Sequence, residues 1–407
     1  MKSTPKRHSY PCQIFKNPNL TKKMKYSLIL TILVLVSCKN KNVEIQADLI
    51  NSGYEIVLKD SISIPLNSDD FYRSFQTHVV ERNDTTYLYR ESFYTHSIDV
   101  FNWTKKRKIE RILLKQDGPN QIKGFGGAPW LPLKGDSLFI ANLSGITYIT
   151  LKDSVLITET PNLLDMALRF YALNPQKPQR IDNNIFMYVA SDYMQKDIQF
   201  KDRPLIVSYN LDENTTTVCN IKYPKEFMDD CWSEHHTTIS FASNNLKQLV
   251  LSFPFTEKLY VYDIRKDEII KVIENAGSKN TTEIVPYKAC DFNNIEKYFR
   301  YLKSVPRYEG IIYNQYKDLY YRIVALPADK NLIDGNRNQD VVMPFSIIVL
   351  DNKFNVIAEK VFPSNSYDIR DYFVNEEGLW ISTNNEGSKN FNENRLSFEL
   401  ITLEKNE

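Results

Sequence analysis

Lys258-Leu259-Tyr260-Val261-Tyr262-Asp263, followed after a short charged turn by Glu268-Ile269-Ile270-Lys271-Val272-Ile273, is the stretch on which the fold turns. Aromatic and β-branched residues favour strands, and two such runs around a polar turn read as a hairpin. Five further runs share the character of the first: Ser97–Phe101, Ile146–Ile149, Leu205–Tyr209, Phe345–Asp351 and Leu396–Leu400. Most are preceded by another strand-like run, such as Ser137–Ala141 or Gly378–Ser382. Their starts recur roughly every 50 to 60 residues, with one longer gap before Phe345, a little above the ~40–50 of compact blade families. Six groups of about four strands predict an all-β fold, a six-bladed β-propeller. Blades pack face to face, so their middle strands are buried on both sides, which accounts for apolar runs without clean alternation. The ring must also close. Tyr54–Pro65 precedes the first complete group and is expected to supply an outer strand to the last blade, near residues 371–403, removing an exposed edge. The competing architecture is a pair of stacked β-sandwiches.

Two segments depart from this pattern. Residues 162–173, NLLDMALRFYAL, carry a capping Asn and apolar residues at helical spacing, which predicts a helix. In residues 293–303, Ile295, Tyr298, Phe299 and Leu302 fall at i, i+3, i+4 and i+7, which predicts a second one, limited by Pro306.

The N-terminal part has a different organisation. Lys22, Lys23 and Lys25 precede an apolar run, Leu28–Val36. That run is about nine residues long, too short for a spanning helix of roughly 20. Leu35-Val36-Ser37-Cys38 resembles the lipobox of bacterial lipoproteins, which implies acylation of Cys38 and cleavage just before it. The expected organisation is therefore an extension over 1–23 that fits no signal pattern, a signal peptide over 24–37, a lipidated tether over 38–52 and the propeller over 53–404. Met24 is the expected start. Lys39 in place of an Asp, and a tether without an acidic cluster, imply by the same resemblance an outer-membrane lipoprotein facing the periplasm.

Lys+Arg number 51 and Asp+Glu 50, so net charge is near zero. A general nucleic-acid binder needs a basic surface, and no nucleic-acid partner is expected. The one basic run, Lys105-Lys106-Arg107-Lys108, lies between two strand-like segments and reads as a solvated hairpin loop. Beyond Cys12 and Cys38, three cysteines remain: Cys219, Cys231 and Cys290. An odd count leaves at least one thiol unpaired within the chain, and whether a disulfide forms stays open.

Three stretches, with the lipoprotein start, carry a resemblance to a family of Bacteroidota propeller lipoproteins known as a domain of unknown function. Lys115-Gln116-Asp117-Gly118-Pro119-Asn120 looks like a Gly-Pro turn closing the family's first blade. Ser252-Phe253-Pro254 running into Lys258–Asp263 looks like its central hairpin. Asp318-Leu319-Tyr320-Tyr321-Arg322-Ile323 looks like its late aromatic-Arg strand. The resemblance covers the chain from about residue 45. It implies a fold and an address but carries over no catalytic residue.

The candidate polar cluster is Asp229, Asp230, Glu234, His235 and His236, around Cys231 and Trp232. Carboxylates, imidazoles and a thiol are all Zn²⁺ ligand types. However, neither a His-x₃-His nor a Cys-x₂-Cys spacing occurs, and adjacent side chains in extended chain point to opposite faces. A polar loop entering the fourth blade is the expected role, with no metal and no cofactor. Gly124–Trp130 is Gly-rich but lacks the Gly-Lys-Ser/Thr ending of a phosphate loop. It reads as a loop rimming the propeller mouth, with Trp130 a candidate for stacking on a sugar or peptide. Arg322 is a candidate for a carboxylate ligand, set against a structural pairing with an internal Asp between blades.

These features point to a non-enzymatic binding or scaffold module for a protein, peptide or glycan partner. The alternative is a periplasmic hydrolase or lyase acting at the propeller mouth, which requires Asp230, Glu234 and His236 to converge near the central axis.

Overall fold

In the computed structural model the described residues are 53–406, apart from 93, 119–120, 123, 134–136, 143–144, 151–153, 159–167, 171, 192–202, 228–229, 292 and 330–342. Cys38, the tether and Asp229 lie outside them. Six small antiparallel sheets follow one another along the chain, five of four strands and one of five. The third strand of each blade is one of the apolar runs that set the fold: Ser97–Asn102, Gly145–Thr150, Ile206–Asn210, Leu259–Asp263, Phe345–Leu350 and Arg395–Lys405.

Closure follows the expected route. Tyr54–Pro65 pairs antiparallel with Arg395–Lys405 and lies outermost in the sixth sheet, so the two ends of the domain complete one blade. Each seam between neighbouring blades buries its own apolar cluster. At the closing seam Trp103 of blade 1 meets Trp380, Phe373 and Phe398 of blade 6 edge-on, with centroids 4.9, 4.9 and 5.8 Å away. Edge-to-face rings add to area burial, and here they pack blade 6 against blade 1.

Polar bonds lie beside this apolar packing. Arg90 of blade 1 makes a bidentate pair with Asp371 of blade 6, both bonds 2.9 Å and both side chains buried. Arg322 of blade 5 is also fully buried but pairs with no carboxylate among the described residues. Its guanidinium donates to Ser252 Oγ at 3.1 Å and to the carbonyls of Thr256, Glu257, Lys258 and Ala276 in blade 4, and it stacks on the Tyr308 ring at 3.6 Å. Arg322 therefore joins two blades, but through carbonyls where an internal Asp was expected.

The two segments expected to be helical came out differently. Ile295–Ser304 is a helix, capped by Asn294, whose side chain accepts from Lys297 N at 3.1 Å. Its inward face is Tyr298, Tyr301, Leu302 and Val305, and Ile295 in the first turn is 62% exposed. In the other segment, residues 162–167 lie outside the described ones and Leu168–Phe170 is a strand. It pairs with Val189–Ser191 of the next strand, so sheet pairing overrides a helical period that was only local.

Gln179–Ile181 pairs with the same neighbouring strand as Leu168–Phe170, so the innermost strand of blade 3 is interrupted. The intervening 3₁₀ turn, Asn174–Gln176, is buried and packs against the innermost strands of blades 4, 5 and 6. It is a plug in the central channel. Asn174 accepts from Thr77 N of blade 1 at 3.1 Å and donates to Tyr372 O of blade 6 at 2.7 Å. Gly310 of blade 5 lies against both Pro175 and Tyr372. A Cβ at Gly310 would lie 3.3 Å from Tyr372 Oη and 3.5 Å from Pro175 Cβ.

Candidate functional site

The innermost strands of blades 4, 5 and 6 begin at Ser240, Arg307 and Asp368. The residues just before and within these starts surround the plug at one mouth of the channel. There they line a pocket of about 140 Å³, formed by Leu173, Pro175 and Gln176 from the plug side, Glu234, His235 and Thr238 before blade 4, Tyr308 and Glu309 of blade 5, and Arg370 of blade 6.

The charges in this pocket fall into two sets. Arg307 and Glu309 form a closed pair: Nε and Nη2 of Arg307 reach Glu309 Oε1 at 2.7 and 2.6 Å, and both side chains are almost buried. The remaining Arg307 nitrogen donates to Leu302 O at 3.1 Å, near the C-terminal end of the 295–304 helix, where a cation is favoured. Burial pushes the Glu309 carboxyl up, but Arg307 and Arg370 outweigh it and hold it down at about 2. Burial, reinforced by Arg307, lowers His235 to about 4, so its ring is neutral at pH 7. The second set is open. The Arg370 guanidinium is exposed and forms no hydrogen bond or ion pair among the described residues. Glu234 is half-exposed, and its nearest basic partner is that neutral His235 ring, 3.8 Å away.

The polar cluster read from sequence is thus divided. Glu234 and His235 reach the pocket. His236 turns the other way within the single helical turn Glu234–Thr237 and is fully buried against Trp232 and Tyr301, its Nδ1 2.7 Å from Ser233 Oγ. Asp230 is exposed and does not line the pocket. Cys231 is bonded to Cys290, so its sulfur is no free ligand, and Cys219 is buried as a free thiol. Among the described residues no three His, Cys, Asp or Glu side chains are grouped to hold a metal.

Trp130 is also not where a ligand could stack on it. It is fully buried, its indole N–H donating to Glu91 Oε2 at 3.2 Å. Glu91 also accepts from Gly127 N at 3.0 Å and Gln76 Nε2 at 3.2 Å, so the Gly-rich loop is tied to blade 1 from inside. Burial outweighs these donors and raises Glu91 to about 7. Arg322, caged by carbonyls, offers no face to a ligand either. Sequence reasoning missed Arg307, Glu309 and Arg370 as a group. Nothing in the chain links residue 309 to residue 370 until the ring closes.

The sequence profile described as "Domain of unknown function (DUF4221)" matches residues 53–361. The chain belongs to the DUF4221 family. A crystal structure of a member of this family from Bacteroides vulgatus ATCC 8482 superposes with a TM-score of 0.74 at 24% identity, covering 86% of this chain and 99% of that one. A protein of Bacteroides fragilis NCTC 9343, described as exported, superposes at 0.51 with 10% identity, covering 86% and 96%. At these identities the likeness is one of fold. No curated protein matches the sequence. Family membership therefore brings no activity to the mouth pocket, and its chemistry must be read from the side chains.

Proposed function

We propose that this DUF4221 chain is a lipid-anchored binding module of the cell envelope, held by Cys38 at the outer membrane and facing the periplasm. The mouth where the innermost strands begin takes a protein, peptide or glycan partner. The observation that carries the binding role is the pocket itself: it is open, it sits at the channel mouth, and it holds a cation and a carboxylate that the fold leaves unengaged.

The anchor rests on the signal-like sequence before Cys38. Export is supported by the Cys231–Cys290 disulfide, because disulfides persist in oxidising compartments such as the periplasm. Hydrolysis at the mouth is favoured less. Glu309 is locked as a carboxylate and is a poor proton donor. The Thr238 hydroxyl is committed to the Glu234 carbonyl at 2.9 Å. Ser233 and His236 have the contact of a nucleophile and base, but both are buried away from solvent.

Cross-linking of the protein in its native membrane, followed by mass spectrometry, tests the binding role. A reproducible partner lost on changing pocket-rim residues is the expected result; no partner above background refutes it. The mass of the mature N-terminus tests the anchor. A diacylated or triacylated Cys38 is expected, and an unmodified Cys38 refutes lipidation.

A further inference from the structure

The pocket's charge pattern narrows what it takes. Its interior pair, Arg307 with Glu309, is internally neutralised and nearly closed to solvent. What faces a ligand is one guanidinium, Arg370, and one carboxylate, Glu234. Glu309 and Asp368 lie near enough to feel the Arg370 charge, yet neither comes within ion-pair distance of it. The one basic side chain beside Glu234 within the pocket is His235, which is uncharged at neutral pH. Leu173 and Pro175 supply apolar wall beside the polar groups.

An exposed Arg with a free planar fork suits a carboxylate, which it meets with two parallel bonds. An exposed carboxylate without a cation suits an ammonium. A ligand with only one of these charges would leave the other pocket charge unanswered. The volume, about 140 Å³, is well below the ~300–1,000 Å³ of sites for drug-sized molecules. The pocket holds a few heavy atoms, or one end of something longer.

We propose that the mouth pocket binds a small zwitterion, an α-amino acid or a short peptide, with its carboxylate on Arg370 and its ammonium on Glu234. This deepens the binding role above and rests on it. With Arg307 and Glu309 paired to each other, neither forms an ion pair with Glu234 or Arg370 among the described residues.

The test is calorimetric titration of the full-length protein with glycine and with glycylglycine, alongside acetate and methylammonium, which each carry one of the two charges. Either zwitterion is expected to bind at least about tenfold more tightly than both single-charge probes, a gap of about 1.4 kcal/mol. Glycine above glycylglycine assigns the site to free amino acids, and the reverse order assigns it to peptides. Arg370→Met and Glu234→Gln change exposed side chains, so both variants should melt with the parent protein while each loses at least about tenfold in zwitterion affinity. Acetate binding as well as either zwitterion overturns the proposal, as does undetectable binding of both zwitterions. Unchanged affinity in both variants also overturns it. The cross-linking result is read separately: a partner captured at the mouth with no zwitterion binding defeats this inference and leaves the broader role standing.

Discussion

Removing the Asp371 carboxylate should loosen the propeller at the seam between blade 6 and blade 1. Arg90 spends two guanidinium nitrogens on Asp371 at 2.9 Å each, and one of them also donates to Tyr72 O at 2.8 Å. Asp371 in turn accepts from Thr77 Oγ1 at 3.1 Å. Arg90 is 2% exposed, so after Asp371→Leu its charge has no counterion and little water. Breaking a buried pair in this way costs about 3–5 kcal/mol, whereas replacing both members with apolar residues is often near neutral. Asp371→Leu should therefore lose about 3–5 kcal/mol, and adding Arg90→Met should recover most of that loss. Urea denaturation followed by tryptophan fluorescence reads this directly, since Trp103 and Trp380 pack at the same seam. With an m-value of about 3 kcal/mol/M, the single variant shifts the midpoint down by about 1–1.7 M. A single variant within about 1 kcal/mol of the parent, or a double variant no better than the single, would refute the reasoning, because it would mean the Arg90 charge is not isolated when Asp371 is lost.

Two further outcomes concern Glu91 and the Cys231–Cys290 disulfide. Glu91 is raised from 4.5 to about 7 in the folded state, so the folded protein binds the extra proton between those values, and this contribution to stability is lost as pH rises through that window. Relative to Glu91→Gln, the parent should lose stability on the order of 3 kcal/mol between pH 4.5 and 7, and a difference that stays constant with pH sinks the assignment. The Cys231–Cys290 bond spans 59 residues, which predicts about 4 kcal/mol from chain entropy. Cys231→Ser with Cys290→Ser should lower the denaturation midpoint accordingly and free the Glu234–Thr237 turn, while equal midpoints for reduced and oxidised protein would show that the bond constrains nothing.

Much of the architecture was legible in the chain because blade strands are local objects. Leu259–Asp263, Ser97–Asn102 and Phe345–Leu350 are buried throughout, and burial on both faces writes itself into sequence as a predominantly apolar run. The recurrence of these runs stated the number of blades, and the unpaired run Tyr54–Pro65 before the first group stated how the ring closes. The 295–304 helix was legible for the same reason, since its period, its cap and its stop all lie within a few residues of one another.

Tertiary structure alone decided the rest. The strand Leu168–Phe170 carries a helical pattern, and only its partner at Val189–Ser191 overrides it. Trp130 and Arg322 have the chemistry of a ligand surface, and only packing between blades shows that both are enclosed. The mouth pocket gathers residues 173–176, 234–238, 308–309 and 370, from four blade entrances far apart in the chain. Which of their charges are satisfied depends on distances that exist only after closure. A ring of repeated sheets can be read from local strand patterns, but its axis is where every repeat meets every other, and no single stretch of chain contains it.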